Sequence, residues 1–141
     1  MTNLENAKQR LQAGELTCVL CKGGSVTASR LRGVRPLVGW YAGGCDFSGF
    51  SAADKVVGRA TAFLYVLLGV KAVYAGIVSQ AALAVLEANG IAAEYGLLVE
   101  NIINRAGDGI CPFEQAVLEI DAPEEAYRAI RQKLAQLNIP L

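Results

Sequence analysis

The stretch from Val70 to Val99 constrains the fold more than any other, reading VKAVYAGIV, then SQAALAVLEANG, then IAAEYGLLV. The first piece, Val70 to Val78, is an apolar, β-branched run suited to an inner strand, and the third, Ile91 to Val99, is expected as another strand. The middle piece carries its own punctuation. Ser79 can cap a helix over Gln80 to Ala88, and Asn89-Gly90 stops it. Strands joined through a helix pair in parallel, with the helix covering one face of the sheet. A chain holding this unit is an α/β protein.

The remaining elements build around it. Leu4, Ala7 and Leu11 have helical spacing over Asn3 to Ala13, and Gly14 follows as a stop. Leu16 to Lys22 and Ser25 to Leu31 are β-rich runs separated by Gly23-Gly24, the mark of a hairpin. Arg32 to Phe50 contains five glycines and a proline and is expected as a loop, with a short strand around Leu37 to Tyr41. From Ser51 to Leu68, Ala53, Val56, Val57, Ala60, Phe63, Leu64, Leu67 and Leu68 recur every three or four positions, which predicts a central buried helix. Glu100 to Arg105 is expected as one helical turn, Cys111 to Glu119 as a short helix, and Pro123 to Leu137 as a final amphipathic helix. Two strand-helix-strand crossovers plus one hairpin give a three-layer α/β sandwich around a mixed sheet. At 141 residues the chain has room for one domain, residues 1–141.

Composition removes several classes of function. Thirteen basic residues balance thirteen acidic ones, so no global field recruits nucleic acid. The longest apolar run, Ala60 to Leu68, is about half of the roughly 20 residues a membrane helix needs. The polar start MTNLENAKQR has no signal-peptide pattern, so the expectation is a cytoplasmic protein. The chain has no histidine, which excludes Ser-His-Asp and Cys-His catalysis and leaves Asp, Glu, Lys, Tyr or a thiolate as general base. A hydrophobic fraction of 53% is compatible with a homo-oligomer interface as well as a core.

Candidate sites gather in two glycine-rich stretches. In GGCDFSGFSAADKVVGRA, Ser51 with Asp54 three positions later forms a variant capping box for the expected central helix. That leaves Lys55 in a first helical turn, where the dipole disfavours a cation, and Arg59 one turn on. A bound anion offsets both: the backbone after Gly43-Gly44, the helix N-terminus and Lys55 together form a cradle, with Asp46 and Ser51 beside it. Cys45 lies near the same helix end and is a candidate nucleophile. The second stretch, NRAGDGICP, places Asn104 and Arg105 before a glycine turn and Cys111 before Pro112 at another helix start. Ser79 heads a third helix. The pair Cys18 and Cys21 is read as structural, because residues three apart on a strand face opposite ways and their sulfurs diverge.

Through GGCDFSGFSAADKVVGRA, LLGVKAVYAG and NIINRAGDGICPFE, from about Leu16 to Glu119, the chain resembles an uncharacterised prokaryotic domain-of-unknown-function family with a cytidine-deaminase-like fold. The resemblance implies a pocket between the N-termini of the two middle helices. Zinc deaminases place a His or Cys, then Ala and Glu, at the first helix start and P-C-x-x-C at the second. Here Ala52-Ala53-Asp54-Lys55 offers only Asp54, and Val78-Ser79-Gln80-Ala81-Ala82 offers no thiol. The departure implies no zinc deaminase activity; two carboxylates, Asp46 and Asp54, are too few for another metal site, so no metal or cofactor is expected.

The expected function is binding of a nucleotide or related small anionic ligand at the loop before the central helix. The alternative is a metal-free enzyme acting on a nucleotide-like substrate, with Cys45 or Cys111 as nucleophile and Asp54 as acid/base. A third expectation is an assembly partner with an apolar pairing surface.

Overall fold

The computed structural model describes residues 1–141. Helix α1, Asn3–Ala13, starts with a reciprocal cap in which Thr2 Oγ1 accepts from the Glu5 N–H and the Glu5 carboxylate accepts from the Thr2 N–H. Strands β1, Cys18–Lys22, and β2, Ser25–Ser29, form the expected hairpin. Lys22 pairs with Ser25, so Gly23-Gly24 is the whole turn, and Gly23 takes the left-handed φ of +57° that the turn requires. Helix α2 follows at Arg35–Ala42, then strand β3, Ser51–Val57, and helix α3, Arg59–Leu68. Strand β4, Ala72–Ser79, helix α4, Gln80–Ala88, and strand β5, Ala92–Val99, complete the sheet. Helices α5, Pro112–Ala116, and α6, Pro123–Gln136, end the chain.

The sheet order is β2-β1-β3-β4-β5. Strand β1 is antiparallel to both neighbours, while β3, β4 and β5 run parallel. Strand alternation divides the core between two faces. On one, Ala7 and Leu11 of α1 pack on Val19, Cys21, Ala53 and Tyr74. On the other, Cys18, Leu20, Ala52, Val73 and Ala75 lie under Leu37 of α2, Phe63, Leu64 and Tyr65 of α3, Leu86 of α4 and Ile130 of α6. Cys18 and Cys21 therefore sit on opposite faces. The result is an α/β protein with a five-strand mixed sheet and six helices, one on the first face and the rest on the second.

The expected central helix over Ser51 to Leu68 is two elements. Its first seven residues are the innermost strand, β3, and only Arg59–Leu68 is helical. In a strand covered on both faces, apolar residues occupy consecutive positions, and three-and-four spacing then arises without a helix. Ser51 and Asp54 accordingly form no capping box, and Lys55 lies in no helical turn. The expected loop over Arg32 to Phe50 contains α2, with Pro36 in its first turn, where its missing N–H has no intrahelical partner to lose. No strand forms at Leu37 to Tyr41. Glu100 to Arg105 is not helical: an Ile103–Ile110 bridge and the Asn104 side chain, accepting from the Gly107 N–H at 2.8 Å, shape a loop there. The helix expected at Cys111 to Glu119 shortens to α5, and Leu137, the last residue of the expected final helix, is exposed.

A buried carboxylate fastens the C-terminal third to the sheet. The Glu114 carboxylate accepts from the backbone N–H groups of Arg59 at 2.6 Å and Ala60 at 2.9 Å, occupying the N-terminus of α3. It supplies the cap that Gly58, having no side chain, cannot. Arg59 turns its guanidinium back to the Val117 and Ile120 carbonyls and pairs with Asp121 at 2.9 Å. Gly58 makes the approach possible, because a Cβ there would lie 2.5 Å from the Glu114 carboxyl. Gly58→Ala and Glu114→Ala should each lower unfolding free energy by about 1–3 kcal/mol, the range for losing charge-assisted hydrogen bonds at a helix start. In urea denaturation the double variant should lose clearly less than the sum, since both changes break one contact; strict additivity would show that the contact does not exist.

Candidate functional site

Strand β3 delivers Asp54 to a cleft of about 350 Å³ at the carboxyl ends of the parallel strands. Its walls are Thr17 just before β1, Arg32 to Val34 before α2, Gly58, Ala60 and Thr61 at the start of α3, and Ile102, Cys111, Phe113 and Glu114 from the β5–α5 connection. Antiparallel β1 meets the parallel block here, and open α/β sheets commonly place ligands at such an edge. A wider groove of about 860 Å³ adjoins the cleft and shares Arg32, Gly33, Val34, Val56, Cys111 and Phe113 with it.

Asp54 is 8% exposed. The Tyr65 hydroxyl donates to its Oδ2 at 2.7 Å, and Cys18 Sγ lies 3.1 Å from the same hydroxyl. A tyrosine has one proton to give, so when it goes to Asp54 the Cys18 thiol is the donor to Tyr65. Burial pushes the Asp54 pKa from 3.8 to about 7, against the opposing pull of the Tyr65 hydroxyl and the backbone of Val56 and Lys55. Burial likewise drives the Tyr65 hydroxyl and Cys18 thiol well above their ordinary values, so both stay protonated. Near neutral pH the cleft presents a carboxyl able either to donate or to accept.

The sequence-predicted residues divide between two ends of the sheet. Asp54 and Cys111 share the cleft, and Asn104, Arg105 and Cys111 border the groove. Lys55 borders the cleft and also a shallow depression on the α1 side with Leu11 and Tyr74. Strand alternation sends its side chain to the face opposite Asp54. Gly43, Gly44, Cys45 and Asp46 lie in the loop before β3, at the other end of that strand. The loop is tied to the far end of α3 by Phe47 N–H to Leu68 C=O and Lys71 N–H to Phe50 C=O, both 2.9 Å. Three strand residues, Ser51 to Ala53, about 10 Å of extended chain, lie between the loop and Asp54, and Cys45 does not line the cleft that Asp54 and Cys111 share. Asp46 is occupied locally, accepting from the N–H and hydroxyl of Ser48, which hold its carboxyl below the usual range. Ser51 is buried in β3, and Ser79 Oγ accepts from the Ala82 N–H at 3.1 Å, capping α4 as expected. Neither lines the cleft.

Sequence reasoning did not single out Thr17, Arg32, Thr61, Tyr65, Phe113 or Glu114. One signal was present: SRLRGVRP sets Arg30, Arg32 and Arg35 within six positions. No three His, Cys, Asp or Glu side chains converge in a way that could hold a metal ion. No helix is long and apolar enough to cross a membrane.

Residues 6–134 match the family described as TM1506, domain of unknown function (DUF1893). The chain belongs to the DUF1893 family. The crystal structure of a DUF1893 family protein from Thermotoga maritima is similar to it with a TM-score of 0.85 and 27% identity, over 94% of this chain and 91% of that one. No curated protein matches the DUF1893 chain in sequence.

The Asp54 pKa has a consequence for stability. Folding raises it from 3.8 to about 7, so the folded DUF1893 domain holds this proton more tightly than the unfolded chain. Its contribution is fully present below the unfolded value and is lost as pH rises through the folded one, amounting to about 4 kcal/mol at most. Asp54→Asn has no proton to lose. The stability of the variant relative to wild type should therefore rise by about 2–4 kcal/mol between acid and mildly alkaline pH. Denaturation midpoints in parallel pH series check this, and a constant difference across the series would remove the shifted carboxyl from the account.

Proposed function

We propose that this chain is a ligand-binding domain of cytidine-deaminase-like fold that holds a nucleotide or related small anionic ligand in the cleft between the N-termini of α2 and α3, without zinc deaminase chemistry. The observation carrying the reading is the cleft wall where Asp54, hydrogen-bonded to Tyr65 and with its pKa raised to about 7, shares a cavity with Arg32. A carboxyl that can donate or accept suits the polar edge of a ring, and a guanidinium suits an attached anion. Correcting the elements supports the fold resemblance while moving its landmarks. The helix after the hairpin is α2, and the next is α3, so the two zinc-motif positions fall one element earlier than expected.

Those positions read Gly33-Val34-Arg35-Pro36 and Gly58-Arg59-Ala60-Thr61. They contain no thiol, imidazole or carboxylate, and the α3 N-terminus is taken by Glu114. The residues do not fit a zinc ion.

A second reading, a metal-free enzyme, is favoured by one fact: Asp54 and Cys111 line the same cavity. Its nucleophile is then Cys111 alone, with Cys45 at the far end of the sheet. Alkylation of a Cys45→Ser variant no faster than that of a free cysteine near neutral pH would remove the motive for a thiol mechanism.

Binding is tested by a thermal-shift panel of nucleosides, nucleotides and sugar phosphates. A ligand at 100 times its dissociation constant should stabilise the fold by about 2.7 kcal/mol, and Asp54→Ala should abolish the shift. Silence across the whole panel would refute the reading.

A further inference from the structure

We propose that the groove beside the cleft is a binding site for a linear polyphosphate group, a di- or triphosphate, carried by the ligand whose body fills the cleft; the last clause rests on the function proposed above. Arg30, Arg32, Arg35 and Arg105 border this groove, and no Asp or Glu does. In a chain of zero net charge with eight arginines, half of them border one depression.

None of the four has an ion-pair partner. The only ion pairs are Lys8 with Glu94 and Arg59 with Asp121. Arg35 is engaged only through Nε, which donates to the Pro140 carbonyl at 3.1 Å and leaves its terminal nitrogens free. Several carboxylates of the C-terminal third have partners of their own. Glu114 caps α3, Asp121 holds Arg59, Asp108 accepts from Asn104 at 2.9 Å, and Glu124 accepts from the Tyr41 hydroxyl. Four unpaired guanidiniums in one depression repel one another, and an anion is the partner that relieves this.

Charge number and shape select the anion. One phosphate carries at most two negative charges, half of what the groove offers, whereas a triphosphate approaches four. Each guanidinium fork matches two phosphate oxygens. Leu31, Ile103 and Ile139 border the same groove and lower the local dielectric, strengthening each pair. Arg32, Val34 and Phe113 border both cavities, so the groove lies directly beside the cleft.

The test is calorimetric binding of inorganic triphosphate, ATP, AMP and adenosine at two salt concentrations. The protein is used as wild type and as an Arg30→Gln/Arg105→Gln variant, both exposed positions, and a thermal melt should show the variant as stable as wild type. The expected result is that triphosphate binds alone, that ATP binds about tenfold or more tighter than AMP, and that added salt and the double variant both erase this advantage. Equal affinity for ATP and AMP, an ATP preference unchanged by the variant, or polyglutamate binding tighter than triphosphate overturns the proposal. The two readings fail separately. AMP and ATP bound alike leaves the cleft reading standing and removes the polyphosphate site, while ATP no tighter than inorganic triphosphate keeps the groove and removes the nucleotide from the cleft.

Discussion

The seven residues of β3 are the constraint on which the rest of the molecule depends. Bonded to β1 on one side and β4 on the other, this strand joins the antiparallel and parallel halves of the sheet. Its two faces carry both cores, Ala52 toward α3 and Ala53 toward α1. Its last residues then set up the cleft: Asp54 supplies the carboxyl, and the chain turns through Gly58 into α3, whose N-terminus takes the Glu114 carboxylate. One strand thus fixes the sheet, the cleft floor and the point where the C-terminal third is attached. An added side chain at Gly58 would disturb all three at once, since strand, helix and connection meet there.

What could be read from sequence followed how local the determining interaction is. The α4 boundaries, Gln80–Ala88, emerged as expected because Ser79 and Asn89 act on the helix they flank. The hairpin is as local, and the divergence of Cys18 from Cys21 follows from strand geometry alone. For β3 the deciding partners lie some 30 positions before it and 20 after it, and its apolar pattern without them also fits a helix. The site suffered the same way. Asp54 was singled out as a helix cap and as a candidate acid/base, yet its raised pKa comes from burial beside Tyr65, which Cys18 contacts in turn, pairs spanning 11 and 47 positions. The anion sought for the helix start was in the chain already, as Glu114.

That last point changes the electrostatic account. The sequence contains equal numbers of acidic and basic residues, which argues against a charged surface only if the two are mixed in space. In the folded chain one groove is bordered by four arginines and by no carboxylate. Several carboxylates are consumed inside the structure: Glu114 by the α3 N-terminus, Asp54 by burial, Asp46 by Ser48 and Asp121 by Arg59. Each is satisfied by backbone, hydroxyl or a single cation, and none is left to balance the arginines on the SRLRGVRP segment.

The separation also bears on how Asp54 can lie next to an anion site. An ionised carboxylate there would repel an anion held by Arg32 across the shared wall, and in a poorly solvated cleft that repulsion would be large. A carboxyl with a pKa near 7 avoids it by keeping its proton when an anion approaches, since a nearby negative charge raises the pKa further. The same burial that costs the fold stability at high pH therefore makes Asp54 compatible with an anionic ligand. The hydrogen bonds from the Tyr65 hydroxyl and the backbone of Val56 and Lys55 temper that burial, holding the carboxyl in the range where either protonation state is accessible.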